Sequence, residues 1–222
     1  MMWLALRRLR WARRVAATPL QACWREPLPR RRSDWRSLSF LACDAEMSSL
    51  DPRQGELLSL GWVTVAGGAV QLGSARHHLI TSKRGVGQSA TIHQIHDREL
   101  AGAVSPAAAM AALLQAAAGK VLVLHHAPLD LAYLNRLSRQ LYGAPLLLPV
   151  VDTLALERAQ RERRGSPLAA GALTLQACRA HYGLPGHGAH NALLDALATA
   201  ELLLAQIAHR SGGGRLSLAD LH

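Results

Sequence analysis

The sequence predicts an α/β protein built on a mixed five-stranded sheet with helices on both faces. Three apolar segments follow one another closely from residue 38, and Gly67-Gly68 between the second and the third is a hairpin turn signal. Two later apolar segments are each followed by a stretch with helical periodicity, which is typical of parallel strands joined by helices. A meander followed by strand–helix–strand–helix therefore indicates one mixed sheet.

The strands are defined by apolar runs that end at polar or turn-forming residues. They are predicted at 38–45, 56–66, 69–80, 121–124 and 146–151. Residues 85–104, which follow the third strand, are predicted as a loop with a short helix near 97–101. The first strand is central in this arrangement, and the carboxyl ends of such strands are where open α/β sheets commonly place their sites.

The helices begin at recognisable capping residues. Ser105-Pro106 joins a preferred N-cap to a proline in the first position, and the helix that it starts ends before Gly119. Asp152 is predicted to cap the helix that follows the last strand. The remaining helices are predicted at 128–142, 152–163, 173–182 and 190–209, with a Gly-, Pro- and Ala-containing loop at 164–172.

The positive charge is concentrated at the start of the chain. Residues 1–36 hold ten arginines, two acids and four of the five tryptophans, so they carry +8 of the formal net charge of +10. We therefore predict a basic arm (1–36), a folded domain (37–210) and a Gly-rich tail (211–222). Residues 2–17 fit a basic amphipathic helix that contacts nucleic acid or an anionic membrane surface, or else a poorly ordered tail behind a misassigned start codon.

Cysteine usage and hydropathy bound the location. The three cysteines are far apart and form no C-x-x-C spacing, which excludes a disulfide framework and a zinc-finger pattern and fits a reducing cytoplasm. No apolar run in the sequence reaches membrane-spanning length, so the chain is predicted not to be transmembrane. Arginines interrupt the first 14 residues, unlike the apolar region of a secretory signal.

The most informative stretch is the end of the first strand, where Asp44 and Glu46 stand one residue apart. Residues i and i+2 of a strand point to the same face, so both carboxylates project side by side. Two such anions repel each other, and a bound cation relieves the repulsion. Carboxylate oxygens suit Mg²⁺ or Mn²⁺, whereas the alternative is two solvated acids at a strand end.

Two more acids and a histidine are candidate site residues. Asp130 falls in the first turn of the helix that follows the fourth strand, where a favourable contact with the helix dipole is the simpler explanation. Asp195 is the only charge in the apolar run 192–200, so it needs a partner such as a shared metal or a core hydrogen bond. His190, five residues earlier, is predicted to lie in the loop before the helix and to accept a proton there.

In combination these residues resemble the DEDD exonucleases of the His subtype, which include the proofreading subunit of bacterial DNA polymerase III, RNase T and oligoribonuclease. The resemblance rests on Asp44-Ala45-Glu46, on Asp130 after its apolar strand, and on His190 with Asp195. Residues 92–95 and 151–156 resemble secondary signatures of the family. The resemblance covers about residues 38–208. It implies an RNase H-like sheet and 3′→5′ hydrolysis of a single-stranded DNA or RNA end.

The resemblance also implies a mechanism with two divalent cations, Mg²⁺ or Mn²⁺. Asp44, Glu46 and Asp195 would hold one cation, with Asp44 bridging to a second that Asp130 helps to order. His190 would take the proton from the attacking water. A DNA polymerase is the protein partner that the resemblance implies.

The chain departs from the family pattern around the terminal nucleotide. Met47-Ser48-Ser49 stands where the family often has Thr-Thr-Gly, and His126 and Leu129 replace Asn and Phe of the second motif. The metal and base positions are intact, but the pocket for the terminal nucleotide is expected to differ. The residues predicted to contact substrate are Met47, Ser48, Leu50, His93 and His126.

Two alternatives compete with this prediction. A binding module for nucleic acid or a polymerase on the same fold would need none of the acids, and their presence argues against it. A zinc hydrolase would use the chain's histidines, but no H-E-x-x-H or comparable spacing occurs. A second histidine, His187, lies in the same loop as His190, and its flanking glycines predict that it is solvated and dispensable.

Overall fold

The computed structural model describes residues 1–82, 103–165, 168–188, 190–212 and 214–221. Its sheet has five strands in the order β3-β2-β1-β4-β5. The strands are β1 (Ser39–Met47), β2 (Leu57–Ala66), β3 (Ala69–Leu79), β4 (Val121–Leu124) and β5 (Val150–Asp152). The predicted helix near 97–101 and the signature at 92–95 lie outside the described residues.

The first three strands form an antiparallel meander, and the last two run parallel to β1. In the register Phe40 pairs with Val65 on one side and with Val121 on the other, so β1 is the central strand. Strand β5 pairs in parallel with β4. The carboxyl ends of β1, β4 and β5 therefore lie along one edge of the sheet, as the sequence predicts.

Seven α-helices are found among the described residues. They are α1 (Met2–Trp11), α2 (Pro19–Arg25), α3 (Pro106–Ala117), α4 (Ala127–Tyr142), α5 (Thr153–Arg163), α6 (Leu175–His181) and α7 (Ala192–Ser211). The predicted caps are present, because Ser105 accepts a hydrogen bond from Ala108 N and Asp152 accepts from Leu154 N and Ala155 N. Asn191, which the sequence analysis did not identify as a cap, starts α7 in the same way.

Alternation along β1 divides the core into two layers. Leu41, Cys43 and Ala45 point to the face that is covered by α2, α3 and α4. Phe40 and Ala42 point to the opposite face, which packs against α5 and α7. Asp44 and Glu46 continue the second series, so they lie on the same face of the sheet as α7.

Strand β5 is shorter than predicted. The run 146–151 is mostly apolar, yet Pro145 precedes it and Pro149 interrupts it, and neither proline has an N–H to donate to a sheet ladder. Only its last residues pair with β4, while Leu146 is buried in an irregular segment held by Asn135, whose side chain accepts a hydrogen bond from Leu146 N at 2.9 Å. Apolar character thus identified burial correctly but not backbone pairing.

The basic segment 1–36, which its charge predicts to be a separate arm, packs against the domain. Val15, Leu20 and Cys23 are buried in the core beside α3. Trp24 Nε1 donates a hydrogen bond to Leu146 O at 2.8 Å. Charge composition marks where the arginines are, but these apolar residues determine where the backbone lies.

The segment predicted as a Gly-rich tail also contributes to the core. Leu218 and Leu221 pack with Phe40 and Ile207. A bridge between Asp34 and Ser217 joins this segment to the residues just before β1. The predicted boundaries at residues 36 and 210 therefore separate segments by composition, whereas the packing joins them.

One described helix, α7, has the length and hydropathy needed to cross a membrane. Most of that apolar stretch, 56%, is buried inside the protein. The helix crosses the face of β1 and β2, which is the position of a core helix.

Gly61 allows α7 to approach the sheet. A Cβ on this residue would lie 2.3 Å from Leu193 N, on the backbone at the start of α7. We expect Gly61→Ala to lower the free energy of unfolding by about 1–3 kcal/mol, because the helix must move away from β2. Gly73→Ala is the control, since a Cβ there meets no atom within 4 Å. Equal melting temperatures for both variants in thermal denaturation would contradict this packing.

Candidate active site

Asp44 and Glu46 lie at the carboxyl end of β1, on the face covered by α7. Asp44 is half-buried and pairs across the ladder with Gly61, while Glu46 is buried and pairs with Ser59. Neither paired residue on β2 is charged, although the charge of Glu46 acts on His77 of β3, where it opposes the lowering of the His77 pKa by burial. The arrangement matches the side-by-side projection that the sequence predicts.

Asp195 reaches the same place from the first turn of α7. The close approach of this helix over Gly61 brings the Asp195 carboxylate to Asp44 and Glu46. One candidate ligand atom from each of these three residues lies within 4.8 Å of the other two. In the described part of the chain, no cluster of three or more potential ligands includes a histidine, so the geometry does not favour the zinc alternative.

Asp130 adds a fourth carboxylate from the first turn of α4. It is buried and accepts a hydrogen bond from the backbone N–H of Ala45, between the two acids of β1. The start of α4 is fixed by Asp152, whose carboxylate accepts from His126 N at 3.0 Å and from Ala127 N at 3.1 Å. Strand β5 thus positions the helix that carries Asp130.

The electrostatics of the four acids are unfavourable in the absence of a cation. Burial, together with the charges of Asp130, Glu46 and Asp195, raises the pKa of Asp44 well above its ordinary value. Burial and the charge of Glu46 raise the pKa of Asp130 to about 8, in spite of its backbone hydrogen bonds. Protonation or a bound cation relieves this repulsion, so the cluster has the chemistry of a divalent-metal site.

The raised pKa of Asp130 predicts how the stability of the metal-free protein changes with pH. A carboxyl group whose pKa is raised from 3.8 to about 8 by folding favours the folded state at low pH, and this contribution is lost as pH rises towards 8. We expect Asp130→Asn to raise the melting temperature in EDTA at pH 8 and to have a smaller effect at pH 5. A stabilisation of about 1 kcal/mol corresponds to roughly 2–4 °C for a chain of this size. A lower melting temperature for the variant at pH 8 would contradict the repulsion.

The loop before α7 holds both oxygens of Asp195. His187 Nε2 lies 2.8 Å from Oδ1, and the backbone N–H of His190 donates to Oδ2 at 2.9 Å. The prediction that His187 is solvated is therefore wrong, because its ring is largely buried against Asp195. His190 lies in the loop as predicted, with an exposed side chain and a φ of 65°, which places it in the left-handed region.

The predicted substrate contacts have different surroundings. The Met47 side chain is buried in the apolar core on the face opposite Glu46, which corrects its assignment as a substrate contact. Ser48 Oγ accepts a hydrogen bond from Glu56 N and closes the turn between β1 and β2. Leu50 and His126 are exposed near the carboxyl ends of β1 and β4. His93 lies outside the described residues.

The sequence analysis missed two positioning residues. His187 was expected to be solvated because of its flanking glycines, but the loop folds back and brings its ring to Asp195 in the first turn of α7. Asp152 was identified as the cap of α5, but the sequence gives no sign that it also binds the start of α4. Both contacts depend on tertiary structure that local spacing does not reveal.

Comparison with known proteins places this chain in a family. A family model described as exonuclease, of the RNase T type, matches residues 41–203. A protein named DNA polymerase III subunit epsilon-like protein, from Rhodobacter capsulatus, is 31% identical over 171 residues, which cover 75% of this chain and 23% of that protein. DNA polymerase III PolC-type from Thermotoga maritima is 28% identical over 183 residues, which cover 81% of this chain and 13% of that protein. The chain thus spans less than a quarter of the length of these relatives.

Solved structures with the same fold include exonucleases. Escherichia coli exonuclease I in complex with a dA16 oligonucleotide superposes with a TM-score of 0.66 at 17% identity, over 79% of this chain and 42% of that one. Exonuclease I of Methylocaldum szegediense gives a TM-score of 0.65 at 16% identity, over 79% of this chain and 41% of that one. These similarities confirm the predicted RNase H-like mixed sheet with helices on both faces.

Proposed function

We propose a function for this chain on the basis of its family, because the chain belongs to the exonuclease family. It hydrolyses phosphodiester bonds from the 3′ end of single-stranded nucleic acid, with two divalent cations. The observation that carries this proposal is the convergence of Asp44, Glu46 and Asp195 within 4.8 Å, with Asp130 beside them. Four acids packed this closely cost stability in the absence of a cation, so their presence in one site fits a catalytic use.

The carboxylates fit Mg²⁺ or Mn²⁺ in number and chemistry, because both ions prefer oxygen ligands. Asp44, Glu46 and Asp195 would hold one cation, while Asp44 and Asp130 would order the second. Two such cations stabilise charge on the attacking and leaving oxygens of the phosphodiester. The acids come from β1, α4 and α7, so the packing of these elements onto one sheet edge fixes their geometry.

His190 is proposed as the general base. Its backbone is tied to Asp195 Oδ2, which keeps the residue at the rim of the acid cluster while its side chain stays exposed. An imidazole that is neutral near pH 7 can take the proton from the attacking water there. Leu50 and His126, both exposed at the same edge, are the proposed contacts to the terminal nucleotides.

His187 is proposed to position Asp195. A carboxylate oxygen only accepts hydrogen bonds, so the His187 Nε2 atom at 2.8 Å must donate to Oδ1. This contact orients the carboxylate towards Asp44 and leaves its remaining lone pairs for a cation. Contacts of this kind around a ligand typically change metal affinity or activity by 10- to 100-fold when they are removed.

We therefore expect His187→Ala to weaken Mn²⁺ binding by about 10- to 100-fold, measured by calorimetry without substrate. The loss of activity should be largely recovered at saturating Mn²⁺, because His187 takes no part in proton transfer. His187→Gln, which retains a donor, is the matched variant and should recover part of the affinity. Wild-type Mn²⁺ affinity in His187→Ala would show that the contact does not position Asp195.

The experiment that tests the function uses single strands of DNA and of RNA labelled at the 5′ or the 3′ end, with Mn²⁺, Mg²⁺, Zn²⁺ or EDTA. Removal of the 3′ label as a mononucleotide, with a ladder of shortened 5′-labelled products, is expected with Mn²⁺ or Mg²⁺ and not with EDTA. Relative rates on the two polymers identify the preferred substrate. Binding without cleavage would instead support a non-catalytic module that contacts nucleic acid or a polymerase. A polymerase is a candidate partner because the relatives are named after DNA polymerase III.

A further inference from the structure

Helix α1 exposes an apolar face. The side chains of Met2, Trp3, Leu6 and Leu9 are between 59% and 80% exposed. These four make up half of the large exposed hydrophobic side chains among the described residues, although the helix has only ten residues. A contiguous apolar face of this kind marks a surface that another phase or molecule covers.

The opposite face of α1 is fixed to the domain. Leu4, Arg8 and Trp11 are half-buried, and at about 100° per residue they lie together on the side away from Leu6. Arg8 donates from Nε to Leu147 O at 3.0 Å and from an Nη atom to Trp24 O at 3.2 Å. The apolar face therefore points outward because the helix is docked.

Arginines lie beside and among these apolar side chains, since Arg10 falls between Leu6 and Trp3 at about 100° per residue. The exposed guanidinium groups near the helix belong to Arg7, Arg10, Arg13 and Arg14. The first acid of the chain is Glu26, so no carboxylate from the helix or its next turn offsets them. Arg7 stacks on the Trp3 ring with 4.4 Å between its Cζ and the ring centroid, which joins a cationic and an aromatic group at one edge of the face.

The helix lies at the edge of the sheet opposite the acids. Its anchor on the domain, Leu147, precedes β5, and the amino ends of parallel strands lie opposite their carboxyl ends. Phe40 is level with the start of β4, and Glu46 is six residues further along β1. At about 3.3 Å per residue, the acid cluster lies roughly 20 Å along β1 from the edge on which α1 is anchored. The exposed face therefore does not touch a nucleotide held by the acids.

We propose that the exposed face of α1 docks this protein on an anionic lipid surface. A helix at a bilayer interface inserts Trp, Leu and Met among the acyl chains and places arginines at the anionic headgroups. Nucleic acid would pair with the arginines and stack on Trp3, but Leu6 and Leu9 would gain no contact. Docking through α1 leaves the acid cluster at the far edge of the sheet, open to solvent.

The test measures co-sedimentation of the full chain with vesicles of phosphatidylcholine alone or with about one third phosphatidylglycerol. We expect at least tenfold tighter binding to the anionic vesicles. Replacing Trp3, Leu6 and Leu9 together with serine should weaken this binding at least tenfold. Replacing Arg7, Arg10 and Arg13 together with glutamine should abolish the preference for anionic lipid. Leu72→Ser, at another exposed leucine, is the matched control and should bind as the wild type does.

The same variants separate lipid from other occupants. An unchanged thermal melt and unchanged cleavage of a short oligonucleotide are expected for the serine variant, since these side chains touch neither the core nor the acids. Equal binding of the wild type to both vesicle types, or wild-type lipid binding by the serine variant, would overturn the proposal. It would also be overturned if the serine variant lost only affinity for a long single strand, or only a concentration-dependent dimer seen without lipid.

Discussion

Asp44→Asn is expected to abolish hydrolysis while leaving the fold intact. Asp44 is the acid that both proposed cations share, and burial and three neighbouring acids already raise its pKa. Metal stabilisation of the reacting oxygens is worth several kcal/mol, and each 1.36 kcal/mol is tenfold in rate. We therefore expect kcat to fall by about 10³-fold or more in saturating Mn²⁺.

Thermal melts separate this effect from unfolding. In EDTA the variant should melt at or above the wild-type temperature, because one repelling charge is removed. Mn²⁺ should raise the melting temperature of the wild type and not of Asp44→Asn, because only a bound ion stabilises the folded state. Glu201→Gln, on α7 but with a half-exposed side chain paired with Arg179, is the control and should stay within about threefold in kcat. Activity that persists in Asp44→Asn would refute the two-cation assignment.

The second large effect is expected for His190→Ala. General-base assistance is typically worth 10²–10⁴-fold, and kcat should fall by about that factor while Mn²⁺ affinity is kept. The wild-type rate should increase with pH on the acid side of the profile, because the imidazole must lose its proton before it can accept another. That limb of the pH–rate curve should vanish in the variant.

The variants of the two loop histidines should thus lose activity for different reasons. His187→Ala should change the metal affinity and keep the pH limb, whereas His190→Ala should remove the limb and keep the affinity. The opposite pattern would show that the histidine contacting Asp195 through its ring is the base. The assignment of His190, which rests on its spacing from Asp195 and on the family resemblance, would then be wrong.

Most of the fold could be predicted because local signals and tertiary packing agree. The alternation along β1 correctly placed Asp44 and Glu46 on one face, and the Ser105 and Asp152 caps located two helices to within about a residue. The exception is the run 146–151, where residues 146–148 are buried without pairing and only the residues after Pro149 form a strand. Burial and hydrogen bonding are separate requirements, and hydropathy reports only the first.

The acids of the site could be predicted because each stands in a recognisable context, at a strand end or in a first helical turn. The contacts around them could not. His187 reaches Asp195 only because the loop folds back over α7, and Gly61 matters only because α7 crosses β2 there. Likewise, the arginine content of residues 1–36 predicts a charged arm, while Leu20 and Cys23 attach that segment to the core.

The most direct test is a crystal structure with Mn²⁺ and a nucleoside 5′-monophosphate, read by anomalous scattering at the manganese edge. Two peaks about 3.5–4 Å apart are predicted, both in contact with Asp44, with Glu46 and Asp195 on one and the Asp130 side on the other. The phosphate should lie between the two ions, with His190 on the solvent side. Absence of manganese from these carboxylates, or ions held instead by the chain's histidines, would contradict the proposed mechanism.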